Sequence, residues 1–91
     1  MINSTIYKYT LALEDEQVIQ MPAHAEILSV ANQNGNLCLW AKVIPSNKLE
    51  LYKIYIVGTG NPADHVENNY FIGTVIMNPF VWHIFLEDFE P

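Results

Sequence analysis

The chain has 91 residues, a formal net charge of −6 at pH 7 and one cysteine, Cys38. A body of this size buries only roughly 60 to 65% of its unfolded surface, and a single cysteine excludes an internal disulfide and a Cys/His zinc quartet as supports for so thin a core. There is no arginine, and the four lysines (Lys8, Lys42, Lys48, Lys53) form no cationic stripe, which argues against direct binding of nucleic acid.

With 51% hydrophobic residues, the apolar surface exceeds what one small core hides, so a homo-oligomer is expected. No apolar run approaches the ~18 residues of a membrane span. Met1 to Thr5 lacks a basic region followed by a hydrophobic one. The expectation is one domain over residues 1–91, without membrane contact and cytoplasmic, a setting that a lone thiol fits.

Along the chain, β-branched and aromatic residues alternate with polar ones and are cut by turn residues. Tyr7 to Leu13 reads as a first strand with one wet face, followed by the acidic turn Glu14-Asp15-Glu16. Val18 to Met21 is a short strand that stops at Pro22. Ile27 to Gln33 and Leu37 to Ile44 flank Asn34-Gly35, whose residues suit the two positive-φ positions of a type I′ hairpin. That turn opposes Gln33 to Asn36 and Ala31 to Cys38. Cys38 and Trp40 then share one face, and Leu37, Leu39 and Ala41 the other.

Leu49 to Val57 is the longest strand, with Leu49, Leu51, Tyr55 and Val57 on one face and Tyr52, Ile54 and Ile56 on the other. Apolar groups on both faces indicate a central strand, or one covered by another subunit. Gly58 to Asn69 is a loop, with room for one short helix over 61–69 because Pro62 and Asp64 suit a helix start. Tyr70 to Met77 and Phe80 to Leu86 are joined through Asn78-Pro79. The fold class is all-β: about seven strands in hairpin order, forming a small antiparallel sandwich or a partly open barrel.

Gly58-Thr59-Gly60-Asn61-Pro62 is the most unusual segment. Two glycines around a threonine after a strand can turn successive N–H groups inward as an anion cradle, or simply form a wide turn. It is neither a Walker loop nor a dinucleotide fingerprint. Asp64 and His65 follow, an acid–base pair with no recognisable nucleophile beside it. His24, His65 and His83 match no metal-ligand spacing, so neither a metal nor a cofactor is expected. Trp40, Trp82 and five tyrosines exceed the needs of one core, and Trp82 is a candidate to stack on a flat ligand. The candidate ligand-binding residues are Gly58, Thr59, Gly60, Asn61, His65 and Trp82.

The segments Ile6-Tyr7-Lys8-Tyr9, Ile19-Gln20-Met21-Pro22-Ala23, Leu39-Trp40-Ala41, Ile56-Val57-Gly58-Thr59-Gly60-Asn61-Pro62, Tyr70-Phe71-Ile72-Gly73-Thr74 and Val81-Trp82-His83-Ile84-Phe85 carry, in order, a resemblance to a family of short uncharacterised phage and prophage proteins. Asn61 stands where that family usually has histidine. The resemblance implies no catalytic residues. It implies a setting in the cytosol of a host cell and a counter-defence role. The expectation is therefore a non-enzymatic accessory binding protein that sequesters a small anionic, nucleotide-like ligand between subunits. The alternatives are a protein–protein interaction module that inhibits a host or phage protein, and a virion or assembly component.

Overall fold

Strand alternation sends successive side chains to opposite faces, and this periodicity governs nearly the whole chain. A computed structural model describes residues 3–88. Its elements are β1 (Thr5–Thr10), β2 (Glu16–Pro22), β3 (Glu26–Gln33), β4 (Asn36–Val43), β5 (Leu49–Gly58), the 3-10 turn η1 (Asp64–Val66), β6 (Tyr70–Met77) and β7 (Phe80–Leu86). Two antiparallel sheets result, one ordered β1-β4-β3 and the other β2-β5-β7-β6. They stack as a sandwich and do not close into a barrel. Among the described residues no helix is long and apolar enough to cross a membrane.

The core lies between the sheets. From the three-stranded sheet, Leu37, Leu39, Ala41 and Val43 of β4 are all buried; from the four-stranded sheet, Tyr52, Ile54, Ile56, Val75 and Ile84 meet them. Contacts between the sheets concentrate at β3 and β6. There Gly73 lets the layers approach, since a Cβ on it would lie 3.0 Å from Val30 Cγ2. Irregularities in register fall at Leu28 of β3 and Ile72 of β6, the two strands that meet.

The hairpin at Asn34-Gly35 forms as its residues dictate, with φ of 53° and 86°, and it opposes Gln33 to Asn36 and Ala31 to Cys38. The overall order is not a succession of hairpins, however. Only β3–β4 and β6–β7 are sequential neighbours, while β1 pairs with β4 and β2 with β5. The first strand also runs over Thr5–Thr10 and ends before Leu13. Leu11 turns into the core and donates its N–H to the Leu37 carbonyl at 2.8 Å. The Gln17 amide then closes the following turn on Ala12, donating to its carbonyl at 2.7 Å and accepting from its N–H at 2.9 Å.

Candidate functional site

The site begins where β5 ends. Gly58 pairs with Trp82 of β7, and a Cβ on Gly58 would lie 3.0 Å from Asn61 Nδ2 and 3.1 Å from Trp82 Cζ3. Only a glycine lets the indole edge and the Asn61 amide close on this backbone together. The chain then reverses: the Asn61 N–H donates to the Gly58 carbonyl at 3.0 Å, with Gly60 at φ 91°. The Thr59 N–H donates to the Val81 carbonyl at 3.1 Å. Two donors of the anticipated anion cradle are thus consumed by the turn and its anchorage. Among the described residues the Gly60 N–H has no backbone partner, so the segment offers one main-chain donor to a ligand, not a nest of three.

A groove of about 510 Å³ opens beside this turn. It is lined by Gly58, Thr59 and Asn61 of the turn and by Pro79, Phe80, Val81 and Trp82. Phe80 and Trp82 stack with ring centroids 5.2 Å apart and planes inclined by 21°. Phe80 is exposed and Trp82 half-buried, so the pair has an outer aromatic face. The Trp82 indole N–H is buried and has no hydrogen-bond partner among the described residues.

On the other side of the turn lies a second groove, of about 310 Å³, lined by Asp15, Ile56, Val57, Asn61, Pro62 and His65. His65 stands edge-on to Tyr55 at 5.8 Å between ring centroids. The turn is therefore a partition. Of the six expected residues, Gly58, Thr59, Asn61 and Trp82 meet in the larger groove, His65 faces the smaller, Asn61 borders both, and Gly60 is the exposed tip.

Sequence reasoning missed His83. Its Nε2 lies 2.8 Å from Thr59 Oγ1 and its Nδ1 lies 2.9 Å from Thr74 Oγ1. The β6–β7 register sets Thr74 directly opposite His83, and the end of β5 brings Thr59 alongside. This hydroxyl–imidazole–hydroxyl chain ties the end of β5 to β7 and β6. Its outer member is a neutral hydroxyl where a nucleophile–base relay uses a carboxylate to stabilise the imidazolium, so it holds a hydrogen bond better than it drives a proton transfer. Because both ring nitrogens are engaged, His83 has no free nitrogen to offer a metal. Among the described residues no three of His, Cys, Asp or Glu gather in metal-binding geometry.

A family model described as a domain of unknown function, DUF7352, matches residues 2–91. The chain belongs to that family. No curated protein and no solved structure matches it. Membership in DUF7352 brings an uncharacterised family and no assigned activity, so the functional reading rests on the grooves themselves.

Proposed function

We propose that this protein is a non-enzymatic binding protein that sequesters a small, anionic, nucleotide-like ligand at a junction between copies of the chain. In the phage or prophage setting suggested by the resemblance, it acts in the host cytosol against a nucleotide defence signal. The observation that carries the reading is the groove of about 510 Å³ lined by Phe80 and Trp82 together with Gly58, Thr59 and Asn61. A flat ring stacks on the aromatic wall, and the anionic group takes the Gly60 N–H and the Asn61 amide. These donors are uncharged, so ionic strength hardly changes the affinity, unlike at a lysine- or arginine-built phosphate site.

The test is a thermal-shift screen with cyclic dinucleotides and ADP-ribose derivatives. A rise in melting temperature with at least one nucleotide, abolished by Asn61→Ala, is expected. No shift across the panel at saturating ligand overturns the reading. A second reading, inhibition of a host or phage protein or a place in a virion, draws support from the exposed Phe71 and Ile76 on β6. It predicts stoichiometric co-purification with one defined protein or with particles.

A further inference from the structure

We propose that a second copy of this chain docks on the outer face of the four-stranded sheet about a two-fold axis. The 3-10 turn of each copy then sits on the Val18–Leu49–Leu51 shelf of the other. The inference goes beyond the ligand-site reading: the contact closes the smaller groove at Asn61 and His65, and Asn61 is the one lining residue that groove shares with the larger one.

Strand alternation points Val18, Leu49 and Leu51 away from the core, and they are 54%, 55% and 61% exposed. Register makes them neighbours: Gln20 opposes Leu51, with Val18 and Pro22 to either side on β2. Farther along the same face the 59–69 loop lies over β5, pinned by Val66, which is 3% exposed against Tyr55 and Val57. The face therefore carries a raised turn beside a low apolar shelf. A step of this kind is complementary to its own two-fold image, as an isologous contact requires.

Charge selects the same occupant. Each copy carries −6, so two copies meet only where acid on one finds base on the other. The raised turn presents Asp64 and Glu67, both exposed, and the exposed Lys48 stands at the edge of the shelf, while Lys53 on the same face is already paired with Glu16 at 3.5 Å. An unrelated partner would require neither the step nor the paired charges to be present on one surface.

Sedimentation velocity across a wide concentration range tests the proposal. The expected result is a dimer that Leu51→Glu, an exposed change that leaves the melting temperature near wild type, weakens about tenfold or more. Lys48→Glu in one chain and Asp64→Lys with Glu67→Lys in another should each give monomers alone and a dimer when mixed. A wild-type monomer at every concentration, a Leu51→Glu dimer as tight as wild type, or no recovery on mixing overturns the docking. The nucleotide screen separates the two readings: a dimer that binds no nucleotide overturns the ligand assignment only, and a monomer that binds one overturns the docking only.

Discussion

At Gly58 the distance to the nearest side chains sets the shape of the larger groove. Asn61 can swing away from an added methyl, but the Trp82 ring, 3.1 Å away, is wedged against the core. Gly58→Ala should therefore cost about 1–3 kcal/mol, the usual range for overpacking, and shift Trp82 fluorescence; urea denaturation with fluorescence detection measures both. His24 presents the opposite case. It is exposed yet held at φ 66°, a left-handed conformation that disfavours side chains by about 1–2 kcal/mol. His24→Gly should stabilise the fold by roughly 0.5 kcal/mol after the entropic cost of glycine is set against that strain; a loss of stability would mean that the imidazole makes a contact of its own.

Among the elements, the 59–69 loop depends on one plug. Val66→Ala removes two buried methyl groups, worth about 2 kcal/mol, and should raise amide exchange across residues 59–69 more than in β5 beneath. Tyr52 ties the β2–β3 turn to the sheet, donating to the Pro22 carbonyl at 2.9 Å. Tyr52→Phe strands that carbonyl and should cost about 1–3 kcal/mol in urea denaturation. The strands themselves were legible in the sequence because their faces repeat every second residue: Leu37, Leu39 and Ala41 go inward as a set, and Asn34-Gly35 fixes their register. Which strand lies beside which was not legible. β1 pairs with β4 and β2 with β5 across some 30 residues of chain, and no local signal selects such partners. For the same reason the segment at Gly58 could be recognised as unusual, while His83 could not be joined to it. The contact with Thr59 exists only after β7 is laid beside β5.

At the scale of the whole molecule, Tyr9 and Lys53 bear on stability at alkaline pH. Burial, with smaller contributions from Tyr7 and Tyr52, raises the Tyr9 phenol above 10.0. The hydrogen bond with Tyr55, followed by the charge of Glu16, raises Lys53 above 10.5. In both, the folded chain holds the proton more tightly than the unfolded chain does, so their contribution is complete below about pH 10 and disappears as pH rises through the folded values. Melting temperature followed from pH 8 upward should stay level with respect to these two groups and fall beyond about pH 10; a rise there would contradict the assignment. At this scale the flat sandwich, 46 × 35 × 16 Å, leaves one face of its larger sheet apolar and stepped, and it sets an aromatic groove at the end of that sheet. Native mass spectrometry of the protein purified from the cells that produce it tests most directly whether paired copies hold a nucleotide. The account predicts a two-chain species carrying additional mass in the nucleotide range, released on denaturation. A bare single chain at every concentration would contradict it.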